Sequence, residues 1–165
     1  MLARNKASLA RQTDPDYEVI LIVDDVGRGV PWANKQLAAV APRIKGRYVF
    51  VLDDDDEIVD DTLIMSVKLC VGATGADLII HKMDHGPAGI FPDAEYWGKR
   101  PVLGHFGMSA AVMSASLYRT AITKIQERRA GDIYYYQALY DHATRIEWED
   151  RVISRVQRIS WGKPE

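Results

Sequence analysis

The sequence predicts an α/β fold, with a mostly parallel sheet and flanking helices in one domain. Helical and apolar strand patterns alternate along the chain, and this alternation is typical of parallel strands joined by right-handed helical crossovers. Two of the apolar runs end in carboxylates, one at Asp24 and Asp25 and the other at residues 53–56. Ligands of open α/β sheets collect just beyond the carboxyl ends of the strands. Both runs therefore place acidic side chains where a ligand would lie.

The composition is that of an ordinary globular protein. The 165 residues suit one domain with its own core, and 47% of them are hydrophobic. The net charge of -2 gives no basic surface for nucleic acid. Cys70 is the only cysteine, so no internal disulfide can form and a reducing cytoplasm fits. No apolar run approaches the length of a membrane span, so we expect a cytoplasmic protein without a transmembrane segment.

Local patterns predict the elements of the first half. Residues 2–12 alternate Ala and Leu with Arg and Lys, which predicts an amphipathic helix. Residues 18–23 form an apolar run, which predicts a buried strand. Pro31 suits the first turn of a helix that runs to about residue 41. The β-branched and aromatic residues 48–52 predict a second buried strand.

The second half continues the alternation. Residues 84–104 are rich in Gly, Pro and aromatics, which indicates a binding loop. Within that loop, Trp97 can stack on a sugar or anchor its own segment. The other patterns predict a helix at 61–71, a strand at 76–83, a strand or turn followed by a helix at 108–125, a helix at 133–140, and either a strand pair or a helix at 147–159.

The acidic run is the strongest chemical signal in the sequence. Residues 53–57 are five consecutive carboxylates, Asp60 and Asp61 follow, and no Lys or Arg occurs between Arg47 and Lys68. Like charges this close raise one another's pKa unless a cation lies among them. Mg²⁺ and Mn²⁺ take oxygen ligands of this kind. A solvated acidic turn that caps the next helix also fits the pattern.

Three parts of the sequence coincide in a way that resembles a known family. They are residues 8–25 (SLARQTDPDYEVILIVDD), Ala33-Asn34 followed after a helix by residues 45–56 (KGRYVFVLDDDD), and Gly131-Asp132 before an aromatic helix. Together they resemble the family 2 glycosyltransferases, which are nucleotide-sugar-dependent enzymes of the GT-A fold. The resemblance implies a GT-A-like, Rossmann-like domain of reduced size. Residues from about 1 to 84 would bind the nucleotide-sugar, and residues from about 85 to 165 would form the acceptor and catalytic part.

The resemblance also implies an activity and a set of site residues. The activity is metal-dependent transfer of a sugar, with inversion, from a nucleoside-diphosphate sugar to an acceptor hydroxyl. By match, Asp25 contacts the nucleotide base, Asp53 and Asp54 lie against the ribose and metal, and Asp55 is the ligand of Mn²⁺ or Mg²⁺. Asp132 matches the general base of inverting members, although Gly-Asp before a helix is also good N-capping chemistry.

The sequence departs from the family pattern in three places. The family begins with a strand and a loop before the first helix, whereas this sequence starts within that helix. The interval between Asp25 and Ala33 is short, and Ser114 to Ser116 stand where a basic residue often occurs. Three explanations fit these departures: the chain is an incomplete copy of the family pattern, a partner such as a second copy in a homo-oligomer completes the sheet, or the chain folds as a reduced sheet that has lost activity. The alternatives are an inactive relative that binds a nucleotide or a protein, and a cation-binding α/β domain without sugar chemistry.

Overall fold

The computed structural model describes residues 2–125 and 130–156. Helices and strands both occur throughout these residues, but they do not alternate strictly as the sequence predicts, since no α-helix separates the strands at 78–84, 90–91 and 111–114. The helices are α1 (Leu2–Ala10), α2 (Val30–Val40), α3 (Leu63–Thr74), α4 (Ala115–Ala121) and α5 (Asp132–His142). The strands are β1 (Tyr48–Phe50), β2 (Glu57–Ile58), β3 (Leu78–Asp84), β4 (Ile90–Phe91), β5 (Ala111–Ser114) and β6 (Ile146–Arg155).

The sheet is mixed, so the prediction of mostly parallel pairing is wrong. Its strand order is β1-β5-β3-β6-β2, with β4 paired to β3. Only β3 and β6 pair in parallel among the described strands; the remaining pairs are antiparallel. The physical reason is the route of the chain after β3. Residues 85–110 return to the sheet without a crossover of regular α-helix, so β5 runs back between β1 and β3 and separates these two parallel strands.

Two apolar clusters cover the two faces of the sheet. Leu78 and Ile80 of β3 point into the larger cluster, which α4 and α5 cover, whereas Ile79 points into the smaller cluster under α3. This alternation is the period of two expected of a strand. On α5, Tyr135 and Tyr136 are 0% and 1% exposed, so two of its three consecutive tyrosines belong to the core. Burial of side chains this large stabilises the fold by about 2 kcal/mol or more each.

The helices agree closely with the sequence-based expectations. The helices predicted at 2–12, 31–41 and 61–71 correspond to α1, α2 and α3, and α5 begins at the predicted Asp132. Gly75 ends α3 in the left-handed conformation at φ 72°, and its N–H donates to Val71 O. For residues 147–159 the sequence predicts either a strand pair or a helix. They belong to the single strand β6 up to Arg155, and residues 157–159 lie outside the described part of the chain.

The strand predicted at residues 18–23 is absent from the sheet. These residues form no ladder with another strand, and Val19, Leu21 and Val23 are 58%, 49% and 59% exposed. The segment is held at its beginning, where Glu18 Oε1 accepts hydrogen bonds from the backbone N–H groups of Lys45 and Gly46. An apolar segment becomes a strand only when a neighbour satisfies its backbone groups. The described residues place no strand in that position.

None of the described helices is both long enough and apolar enough to cross a membrane.

Candidate active site

The acidic run forms a tight loop between β1 and β2. The N–H of Asp56 donates to Asp53 O at 3.1 Å, which closes the four residues 53–56 into a turn. Asp53 and Asp54 are exposed, and Asp55 is half-buried. Asp56 is 4% exposed and accepts a hydrogen bond of 2.7 Å from the Ser109 hydroxyl. The loop therefore presents three carboxylates outward and holds the fourth inside the protein.

Helix α1 fixes the backbone of this loop from one side. The buried Asn5 side chain donates from Nδ2 to Asp53 O at 3.0 Å and to Asp56 O at 3.4 Å. One turn later, the fully buried Ser8 Oγ accepts a hydrogen bond from Ile58 N at 3.1 Å. The polar face of an amphipathic helix thus serves here as a support for the loop.

Asp132 joins the loop from a distant part of the chain. It is the first residue of α5 and follows the N-cap residue Gly131, which has no side chain to cap the helix. Its carboxylate lies close enough to Asp53 for its charge to raise the pKa of Asp53. Burial raises the pKa of Asp132 itself, against the lowering effect of the N–H groups of Asp132 and Ile133. The structure thus groups Asp132 with the acidic loop.

Burial and crowded charge act together on the carboxylates of the loop. Burial and the neighbouring carboxylates of Asp56, Asp55, Asp132 and Asp54 raise the pKa of Asp53 to about 7. Protein surrounds this carboxylate on most sides, yet solvent reaches its surface, and the repulsion is therefore partly screened. Burial, followed by the charge of Asp54, also raises the pKa of Asp55. A cation at this loop would relieve the repulsion.

The described residues contain no ready-made metal cage. No group of three or more His, Cys, Asp or Glu side chains among them is arranged to hold an ion. Mg²⁺, however, is usually bound by one or two carboxylates together with waters and substrate phosphates. Asp55 and its outward-facing neighbours fit that mode, because their oxygens are accessible and their mutual repulsion favours a positive charge.

Asp25 lies apart from these contacts, in the loop that follows residues 18–23. Its side chain is 74% exposed and pairs with Arg28 Nη1 at 3.3 Å. Asp24 pairs with the same guanidinium and accepts a hydrogen bond of 2.9 Å from Gly29 N. Arg28 in turn stacks on the Trp32 ring. The role of Asp25 toward a nucleotide base therefore stays a prediction.

Sequence reasoning missed the residues that support the acidic loop. Asn5 lies in a helix with ordinary amphipathic spacing, and Ser109 lies among small residues without a recognisable motif. Asp56 looks like any other member of the acidic run. The sequence offered one signal, which is the spacing of Asn5 and Ser8. These polar residues lie three positions apart and therefore share one face of α1, and the structure buries both of them.

The aromatic loop after β3 is fastened to the sheet. Trp97 packs edge-to-face on Trp148 of β6 with ring centroids 5.0 Å apart, and the ammonium group of Lys82 lies 4.9 Å from the Trp97 ring. Tyr96 stacks on His105 at 3.7 Å. These contacts support the loop-anchoring alternative for Trp97.

No protein-family model matches the sequence, and no curated protein matches it. Solved structures of Staphylococcus aureus TarS, a GT-A family 2 glycosyltransferase, are similar to the chain. TarS 1–349 aligns with a TM-score of 0.73 and 16% identity, covering 94% of this chain and 56% of TarS 1–349. The complex of TarS 1–349 with UDP-GlcNAc aligns with a TM-score of 0.71 and 16% identity, covering 95% of this chain and 55% of TarS 1–349. The complex with UDP aligns with a TM-score of 0.70 and 15% identity, covering 94% of this chain and 56% of TarS 1–349.

The chain spans a little over half of the TarS 1–349 structures. At this level of identity the likeness concerns the fold. The described part of this chain has a mixed sheet with helices on both of its faces. The chain therefore has the GT-A-like fold that its sequence predicts.

Proposed function

We propose that the chain is a metal-dependent glycosyltransferase that moves a sugar, with inversion, from a nucleoside-diphosphate sugar to an acceptor hydroxyl. The observation that carries the proposal is the grouping of Asp132 with the acidic loop of residues 53–56 in a GT-A-like fold. The TarS complexes with UDP and UDP-GlcNAc support a nucleotide-sugar donor. Residues from about 1 to 84 bind this donor, and the remainder of the chain receives the acceptor.

The donor lies along the acidic loop in this proposal. Asp53 and Asp54 face the ribose and metal, Asp55 holds Mn²⁺ or Mg²⁺, and Asp25 accepts hydrogen bonds from the base. When bound, the ion neutralises the charge that grows on the diphosphate as it leaves. The exposure of Asp53 and Asp54 supports these roles, because both side chains are open to a ligand from solvent.

Asp132 acts as the general base. The acceptor oxygen attacks the anomeric carbon on the face opposite the diphosphate, and a new carbon–oxygen bond forms as the bond to the diphosphate breaks. The acceptor proton passes to the Asp132 carboxylate, and the nucleoside diphosphate leaves with the electron pair. Burial raises the pKa of Asp132, and a base is more effective when its pKa is nearer the working pH.

The Asp132→Asn variant tests this function. If Asp132 is the base, transfer or donor hydrolysis falls by about 10²–10⁴-fold while the fold and UDP affinity are retained. If Asp132 only stabilises the first turn of α5 by accepting from the N–H groups there, an Asn side chain accepts nearly as well and the rate is little changed. Asp141→Asn is the matched control, because Asp141 is an exposed acid on the same helix that pairs with Arg100. A rate that survives Asp132→Asn contradicts the base assignment.

The second candidate function is that of a catalytically inactive relative that binds a nucleotide or a protein. The observation that favours it is the apolar segment at residues 18–23, which pairs with no strand among the described residues and lies just before Asp24 and Asp25. A folded protein that binds UDP but neither transfers nor hydrolyses any common nucleotide-sugar would favour this candidate.

A further inference from the structure

The acidic loop is held from two sides by neutral side chains. Asn5 donates to the carbonyl oxygens of Asp53 and Asp56, the first and last residues of the turn. Ser109, which lies just before β5, donates to the carboxylate of Asp56 at 2.7 Å. Asn5 is 8% exposed and Ser109 is 0% exposed, so both hydrogen bonds lie inside the protein. Neither residue points outward with the three exposed or half-buried acids.

We propose that Asn5 and Ser109 are positioning residues that set the geometry of the outward carboxylates for the metal and diphosphate. The inference rests on the proposed function, because it names what holds that site in place. The two supports are complementary: Asn5 fixes the backbone of the turn, and Ser109 fixes the one acid that faces inward. Both side chains are buried, so they act on the site through the loop and not by contact with a ligand from solvent.

The contacts explain why the supports act on the direction of the carboxylates. Four consecutive acids repel one another, and repulsion favours an opened loop in which they separate. The bond from Asp56 N to Asp53 O opposes that opening. Asn5 reinforces the same turn through both carbonyls, and Ser109 keeps Asp56 from joining the outward group. An amide and a hydroxyl can do this without neutralising the acids, whose charge stays available for a cation.

The segment directly after α1 offers a matched control. Gln12 Nε2 donates to Asp60 O at 2.8 Å, and Gln12 Oε1 accepts from Ile64 N at 3.3 Å. These bonds fasten the chain two residues beyond the end of α1 to the chain beyond the loop, and they do not involve residues 53–56. Gln12→Ala therefore weakens this nearby attachment without touching the turn. A merely structural role for Asn5 would make its variants behave like Gln12→Ala.

The test measures UDP affinity by calorimetry with Mn²⁺ and with EDTA. We expect the ratio of the two affinities to fall about 10-fold in Asn5→Ala and Ser109→Ala, as loss of one buried hydrogen bond would bring. Asn5→Leu should fall equally, since it keeps the size and removes the donor. Gln12→Ala should lower the thermal midpoint and leave the ratio unchanged. Equal ratios in wild type and the Asn5 and Ser109 variants overturn the proposal.

Hydrogen exchange at the Asp56 amide supplies a readout that needs no ligand. This N–H is bonded to Asp53 O, so it should exchange about 10-fold faster in the Asn5 and Ser109 variants and not in Gln12→Ala. A wild type whose UDP affinity is the same with Mn²⁺ and EDTA refutes the proposed function. In that case the positioning role is judged only by hydrogen exchange at the Asp56 amide. Exchange that is equally fast in the wild type and in the Asn5 and Ser109 variants overturns it.

Discussion

His81 should make the stability of this protein depend on pH in a way that one substitution can isolate. The side chain lies on β3, is 0% exposed, and has no hydrogen-bond partner at Nδ1 or Nε2 among the described residues. Burial, with a smaller effect of the Arg151 charge, lowers its pKa from 6.5 to about 4, although Asp60 acts in the opposite direction. Glu149 Oε2 lies 3.6 Å from Nδ1. Replacement of His81 by Leu removes the titrating group.

The direction and size of the effect follow from linkage. The unfolded chain takes up the His81 proton below about pH 6.5, whereas the folded chain takes it up only near pH 4. His81 therefore favours unfolding progressively as the pH falls between these values. Each pH unit in this window costs about 1.4 kcal/mol. From pH 7.5 to pH 5, the wild type should lose about 2 kcal/mol relative to His81→Leu.

The assay is urea unfolding of both proteins at pH 5, 6 and 7.5. The difference between the two proteins is needed, because Asp53 has a raised pKa and favours the folded state as the pH falls, which opposes His81. His142→Leu, at the exposed end of α5, controls for the removal of one imidazole. If the free energy of unfolding of His81→Leu runs parallel to that of the wild type at all three pH values, the reasoning is refuted.

Three further predictions concern the loop, the exposed segment and the core. In calorimetry, UDP should bind the wild type more tightly with Mn²⁺ than with EDTA, and Asp55→Ala should abolish this difference. A difference that is unchanged in Asp55→Ala would show that Asp55 is not the metal ligand. Leu21→Lys should reduce self-association in light scattering without lowering the thermal midpoint, since Leu21 is 49% exposed; equal masses would contradict pairing of copies there. Tyr136→Phe should lose about 1 kcal/mol of unfolding free energy in urea, because its hydroxyl donates to Met108 O at 3.0 Å. Tyr135→Phe should lose less, because the hydroxyl of Tyr135 donates to the sulfur of Met113, which is a weaker acceptor.

Local physics explains which elements the sequence could predict. Helices α3 and α5 have clear end signals, Gly75 and Gly131-Asp132, and apolar residues at helical spacing. Because β1 is apolar and ends in acids, the position of the acidic loop could also be predicted. The separate roles of the acids could not, since four identical residues carry no local distinction. Asp56 is buried and accepts a hydrogen bond from Ser109, 53 positions later in the chain, a contact that no local pattern reveals.

The mixed sheet has a similar explanation. An alternation of helices and strands predicts parallel pairing when each connection is a helical crossover. The connection from β3 to β5 contains only short turns and the β4 strand. Nothing in the apolar pattern of residues 111–114 distinguishes a parallel from an antiparallel neighbour, because both kinds of buried strand need the same side chains. The direction of β5 was therefore decided by the connection and not by the strand.

Residues 18–23 show where a strand pattern is insufficient. Their side chains have the β-branched and apolar character that strands favour, but that preference expresses a fit to neighbouring strands and acts only when a neighbour is present. Glu18 is fastened to residues 45 and 46, whereas Val19, Leu21 and Val23 remain exposed. Asp25, which the family resemblance assigns to the nucleotide base, follows directly. The contribution of Asp25 to donor binding should therefore depend on whatever pairs with this segment, and a second copy of the chain is the partner that Leu21→Lys tests.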